Sequence, residues 1–262
     1  MSQVTDMHLL SAFGLDHEQC GIISLVGGGG KTTTMFALAG ALKALGRRVL
    51  ITTTTNIFMP QENQYDDIIL SDAPDSTLFT DIMPGTLTCL AGTVMEGKNK
   101  LKSVDPAFLD QLHEDAIFDA VIVEADGARR MPIKAPAVYE PVIPSATSLI
   151  IGCIGLDALG MPVNSEHVHR PQLFCAATGA ELNEEISAVH IVKLIDSPEG
   201  LFKGAPSDCK KVVLLNKADT DDSREQARLI SIMIAKRSPG VGVSIASMAE
   251  GIVYDYRHAG VR

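Results

Sequence analysis

Gly27-Gly28-Gly29-Gly30-Lys31-Thr32-Thr33 is the densest chemical signal in the sequence. Consecutive glycines let a backbone curl until its N–H groups converge on phosphate oxygens. A helix opening at Lys31 adds a positive dipole end and unpaired donors. In that arrangement the Lys31 ammonium reaches the β- and γ-phosphates of a nucleoside triphosphate, and the Thr32 hydroxyl binds Mg²⁺. The spacing G-x-x-x-x-G-K-T asks for glycine at position 25, where this chain has Leu25.

Two carboxylates form the second group. Glu124 and Asp126 end the apolar run 118–123 and are followed by Gly127. Two apart on an extended strand, they share a face. Asp126 is expected to hold the Mg²⁺ shell with Thr32, and Glu124 to position a water or accept a proton; with Lys31 they make the expected catalytic set. Gly127 allows close backbone approach to a γ-phosphate. The run Thr52-Thr53-Thr54-Thr55-Asn56 offers hydroxyls to the same phosphate or metal, although threonine also simply suits strands. Val26 stands where partition-type ATPases carry an additional lysine, so trans-acting lysine chemistry of that kind is not expected.

Asn216-Lys217-Ala218-Asp219 follows an apolar run and has the N-K-x-D spacing with which GTPases read guanine. There the carboxylate accepts from two N–H groups on the base edge and the lysine stem packs on the ring. Ser244-Ile245-Ala246-Ser247 stands where such proteins bring a short loop to the guanine oxygen. Because adenine binders can keep a similar asparagine, GTP is favoured over ATP without excluding it. Arg129, Arg130 and Lys134 follow the acidic pair, where they read either as anion-binding cations or as a solvated loop. His167 and His169 are spaced for a shared metal but lack a third ligand nearby, so they read as a polar loop.

These groups need elements to hold them. Apolar runs at 22–26, 49–53, 66–70, 120–123, 149–154, 211–215 and 241–245 read as buried strands. Segments 31–45, 106–115 and 223–236 read as helices, the first stopped by Gly46. The alternation predicts an α/β chain, specifically a P-loop NTPase-like three-layer α/β/α fold with a mostly parallel sheet. Segment 86–104, with Gly92, Gly97 and Asn99, reads as an inserted hairpin, and 131–144, with four prolines, as an ordered connection. One domain over 1–262 is expected.

Composition narrows the classes. Of 262 residues, 46% are hydrophobic and 21% charged, enough apolar material for a full core. The net charge is −10, aromatic residues are 5% and tryptophan is absent, so neither nucleic acid nor a membrane surface is an expected partner. The five cysteines never form C-x-x-C, and no basic-then-apolar leader opens the sequence, so a cytoplasmic protein with reduced thiols is expected.

Together the loop 26–33, the threonine run 52–55, Glu124-Ala125-Asp126-Gly127, Lys134-Ala135-Pro136, Glu140-Pro141-Val142-Ile143-Pro144 and Asn216 to Asp219 resemble the YqeC family. That family is described as accessory proteins for selenium-dependent molybdenum hydroxylases. The resemblance implies a role in selenium cofactor biosynthesis or insertion, with a molybdenum hydroxylase or its cofactor machinery as partner; a homodimer stays open. The expected activity is Mg²⁺-dependent binding and hydrolysis of a nucleoside triphosphate. A phosphotransferase acting on a small anionic metabolite, or a nucleotide-binding module without useful turnover, are the alternatives.

Overall fold

The apolar runs do become buried parallel strands. The structure, a computed structural model, describes residues 3–15, 20–97 and 99–254. In chain order these form α1 (Gln3–Ser11), β1 (Gly21–Gly27), α2 (Lys31–Ala44), β2 (Val49–Thr53), β3 (Ile57–Phe58), β4 (Asp67–Leu70), β5 (Leu87–Ala91) and β6 (Lys100–Leu101). There follow α3 (Pro106–Glu114), β7 (Ala120–Glu124), β8 (Ile133–Lys134), β9 (Thr147–Gly155), β10 (Val168–His169), α4 (Pro171–Thr178) and α5 (Ala188–Asp196). The last are β11 (Lys210–Asn216), α6 (Asp221–Arg237), β12 (Val241–Ser247) and β13 (Ile252–Tyr254).

Nine strands form one sheet in the order β13-β12-β11-β9-β1-β7-β2-β5-β4. Every neighbouring pair is parallel except β12 with β13. Alternate residues of each strand feed opposite cores, as a two-residue period requires. Ile23 and Leu25 pack with Leu38 and Leu42 of α2 and Leu10 of α1. Ile22 and Val26 join the other core, with Leu109 of α3, Phe174 of α4, Ile191 of α5 and Ile230 of α6. The result is the expected three-layer α/β/α arrangement.

Two expected segments come out differently. Leu87–Ala91, placed by sequence within the inserted hairpin, is a fully buried strand of the main sheet, paired with β2 and β4. The chain turns back only beyond it: Gly92 N donates to Lys102 O, Met95 N to Lys100 O, and β6 pairs with β3. Within 131–144 the two residues of β8 pair in parallel with β10, so this connection carries a short ribbon. Helices α1, α4 and α5 were not read from the sequence. Helix α5 opens on a Ser187 cap with His190 returning the bond, while α4 has no side-chain cap and closes on Gly179 in the left-handed region.

Since β1 lies between β7 and β9, with β11 just beyond, the carboxyl ends of these strands deliver residues 27–30, 124–127, 155–157 and 216–219 to one edge of the sheet.

Candidate functional site

The phosphate-loop residues connect β1 to α2 in a conformation that needs glycine. At Gly29 φ is +78°, and an added Cβ would lie 2.1 Å from Gly155 N and 2.7 Å from Pro132 O. At Gly28 a Cβ would meet Met131 O at 2.7 Å. The loop is therefore clamped by β9 and by the segment after β7. Its first amides are spent inside the protein: Gly27 N donates to Asp126 Oδ2 (3.0 Å), Gly28 N to Cys153 O (2.9 Å) and Gly29 N to Met131 O (3.0 Å). Among the described residues, no acceptor faces the amides of Gly30, Lys31, Thr32 and Thr33, and Gly30 supplies no side-chain cap. These are the orphan donors of a helix start, where an anion is favoured.

Lys31 turns back over the loop. Its Nζ donates to Gly27 O at 2.6 Å and lies 3.0 Å from Asp126 Oδ1 and 3.9 Å from Glu124 Oε1. Burial alone would lower its pKa, but Asp126 and Glu124 outweigh burial and hold it above the usual lysine value. Burial dominates at Glu124 and raises that carboxyl, against the pull of Lys31. Both acids thus meet the loop lysine, Glu124 from the last position of β7 and Asp126 from two residues further on.

Their partners differ from each other. The Thr32 hydroxyl donates to Glu124 Oε2 at 2.8 Å. Oxygens at adjacent corners of a Mg²⁺ octahedron, with ligands about 2.0–2.1 Å from the metal, lie about 2.9 Å apart. Thr32 and Glu124 therefore fit one edge of such a shell. Asp126, expected beside Thr32, is instead bound by the Gly27 amide, Lys31 and Lys134. Among the described residues no group of three His, Cys, Asp or Glu is arranged to hold a metal by itself. A Mg²⁺ that takes its other ligands from phosphate and water needs none.

The threonine run braces this edge. Thr53 Oγ1 donates to Glu124 O (3.0 Å) and Thr54 Oγ1 to Val142 O (2.5 Å), while Thr52 Oγ1 is buried without a partner among the described residues.

Behind Asp126 runs a buried chain of alternating charge. Lys134 is 1% exposed, and its Nζ reaches Asp126 Oδ2 (3.0 Å), Gly127 O (2.8 Å) and Glu140 Oε2 (2.8 Å). Arg170 closes the chain on the same Glu140 oxygen at 2.5 Å. Burial works against the Glu140 carboxylate, but Arg170 and Lys134 prevail and hold it down at about 2. Lys134 therefore does not act with Arg129 and Arg130 as one solvated cluster. Arg129 and Arg130 are exposed, both with positive φ, and Arg130 lies 4.9 Å from the Phe58 ring centre. His167 Nδ1 is 3.0 Å from Asn164 Oδ1, and His169 lies in β10 opposite Lys134.

At the other end of the edge, Asn216 Nδ2 donates to Gly29 O (2.7 Å) and its Oδ1 accepts from Met248 N (3.0 Å). Both ends of this amide are committed, so Asn216 supports the phosphate loop rather than facing solvent. Lys217 has φ +62° and pairs with Asp157 at 2.5 Å. Asp219 is exposed, and Ser247 Oγ is buried without a partner among the described residues.

Glu140, Arg170, Gly155 and Asp157 belong to the site, although sequence reasoning gave none of them a chemical role. Only Glu140 carried a signal, as the start of Glu140-Pro141-Val142-Ile143-Pro144. A family model described as YqeC protein matches residues 23–172, which span the loop, both acids, Lys134, Glu140 and Arg170 and stop short of Asn216. A protein of Escherichia coli (strain K12), described as "Uncharacterized protein YqeC", is 35% identical over 196 residues, 75% of either chain.

Proposed function

We propose a function for a chain that belongs to the YqeC family: it binds and hydrolyses a nucleoside triphosphate with Mg²⁺, GTP ahead of ATP, in support of selenium-dependent molybdenum hydroxylase maturation. The observation that carries the nucleotide reading is the Thr32–Glu124 contact of 2.8 Å, set beside Lys31 and four acceptor-less amides. When bound, Mg²⁺ supplies Lewis-acid stabilisation of charge on the phosphoryl oxygens. Thr32 and Glu124 would hold it. Lys31 neutralises phosphate charge, and the amides of Gly30 to Thr33 orient the oxygens. Asp126 fixes both Lys31 and the Gly27 amide, so it acts by holding the loop in shape.

The preference for guanine rests on Asp219, exposed and without a hydrogen-bond or ion-pair partner among the described residues, together with the Ser247 hydroxyl, unpartnered among them. The selenium role rests on the family resemblance. The test is purified protein with labelled GTP, ATP and XTP in Mg²⁺. GTP should bind and release phosphate, Lys31→Ala should lose most of that affinity, and Asp219→Asn should favour XTP over GTP. Equal nucleotide affinity of wild type and Lys31→Ala overturns the nucleotide reading. Tight ATP binding without GTP competition overturns the choice of base alone.

A further inference from the structure

Arg170 breaks two local rules at once. Its backbone is left-handed, with φ +67°, a region that Asn and Asp enter readily and arginine does not. It also stands at the N-cap of α4, where Ser, Thr, Asp or Asn would hold the first amides, and its side chain caps nothing there. A cation is moreover the wrong sign for the positive end of a helix. Local misfits of this kind persist where another contact over-determines them. Here that contact is Glu140. The guanidinium donates to Glu140 Oε2 at 2.5 Å and packs against the Tyr139 ring, 5.7 Å from its centre.

The same Glu140 oxygen accepts from Lys134 at 2.8 Å, and Lys134 also reaches Asp126 Oδ2 at 3.0 Å. One buried ammonium is thus divided between two carboxylates, and Arg170 decides the division. With Arg170 in place, Glu140 has a second cation and Lys134 is left to Asp126. Without Arg170, Glu140 draws the ammonium to itself, and Asp126 leans on Lys31 instead. The cations Lys31, Lys134 and Arg170 face the carboxylates Glu124, Asp126 and Glu140. A phosphate that takes Lys31 therefore leaves Asp126 with Lys134 and the Gly27 amide.

We propose that Arg170 is a positioning residue for the loop: by satisfying Glu140 it keeps Lys134 on Asp126, so that Asp126 holds the Gly27 amide and can release Lys31 to a phosphate. The release to phosphate rests on the nucleotide reading; the hold on Gly27 does not. Arg170 acts through Glu140, Lys134 and Asp126 in turn, at contacts of 2.5–3.0 Å.

The experiment compares the full chain as wild type, as Arg170→Asn, and as Arg170→Asn combined with Glu140→Gln. Asparagine tolerates the left-handed backbone and caps helices well, so the single variant should fold with α4 intact. Two signals are read. Calorimetry gives the affinity for GTP and ATP in Mg²⁺, and NMR follows the Gly27 amide, which its bond to a carboxylate moves downfield. Arg170→Asn should weaken triphosphate binding about tenfold and shift the Gly27 amide. Neutralising Glu140 returns Lys134 to Asp126, so the double variant should recover most of the affinity and the wild-type amide position. A merely structural role gives the reverse, because a second lost contact would add to the first. Triphosphate binding that Arg170→Asn leaves unchanged, an unmoved Gly27 amide, or a double variant worse than the single would each overturn the proposal. So would a loss of fold in Arg170→Asn that Glu140→Gln does not repair. If wild type binds no nucleotide while the Gly27 amide follows both substitutions, the function proposed above falls and the hold of Arg170 on the loop stands.

Discussion

Replacing Lys134 by methionine keeps most of the side chain's length and removes its charge. In the structure that ammonium is 1% exposed and contacts two carboxylates and one carbonyl, at 2.8–3.0 Å. Removing one partner from a buried ion pair costs about 3–5 kcal/mol, because the charge left behind stays desolvated. Here the lower end applies. Asp126 keeps Lys31 and the Gly27 amide, and Glu140 keeps Arg170. A loss of about 3 kcal/mol corresponds to a fall in Tm of roughly 6–12 °C for a chain of this size. Urea unfolding followed by circular dichroism measures it directly.

The pH dependence sharpens the test. Lys134 is one of the two cations that overcome burial and hold Glu140 at about 2. A carboxyl with a depressed folded pKa contributes stability that is full above its unfolded value and is lost as pH falls toward the folded one. The deficit of Lys134→Met relative to wild type should therefore be full near pH 7 and shrink as pH falls below about 4.5. A deficit under about 1 kcal/mol, the value of an exposed pair, would refute the reading of Lys134 as a buried strut. So would a deficit that widens in acid.

Glu124→Gln should weaken triphosphate binding in Mg²⁺ about tenfold and leave metal-free binding nearly unchanged, as read by calorimetry with and without chelator; equal effects in both would remove Glu124 from the metal shell. Gly29→Ala should cost at least about 2 kcal/mol in urea unfolding, since a Cβ there meets Gly155 N at 2.1 Å on a backbone with φ +78°. Asn216→Ala leaves Gly29 O and Met248 N without their side-chain partner, a loss of about 2 kcal/mol or more in the same assay.

The glycine loop between β1 and α2 was legible as a strand-to-helix turn because its residue types admit few backbones, and the strands because burial on both faces leaves a continuous apolar run. Segment 86–104 misled because Gly92 and Gly97 punctuate it strongly, although Leu87–Ala91 has the same apolar run as the other central strands. The roles of Glu124 and Asp126 could not be separated by alternation. Both acids do reach Lys31, but alternation tells only that they share a side, not which of them meets Thr32 and which meets the Gly27 amide. Glu140 and Arg170 find Lys134 through proline-rich and irregular chain, for which no spacing rule exists. Helix α4 escaped notice because no Ser, Thr, Asp or Asn caps it.

The supports of the glycine loop are far from it along the chain. Gly27 to Gly30 are braced by Met131, Cys153 and Gly155, and finally by Asn216 in β11. During synthesis, at about 5–20 residues per second, the loop emerges early and must wait several seconds or more for its last support. A nascent chain ending before β11 carries the whole glycine motif and cannot yet hold it in shape. The loop's final shape should therefore appear late and abruptly during translation, after Asn216 clears the ribosome, rather than growing with each strand added.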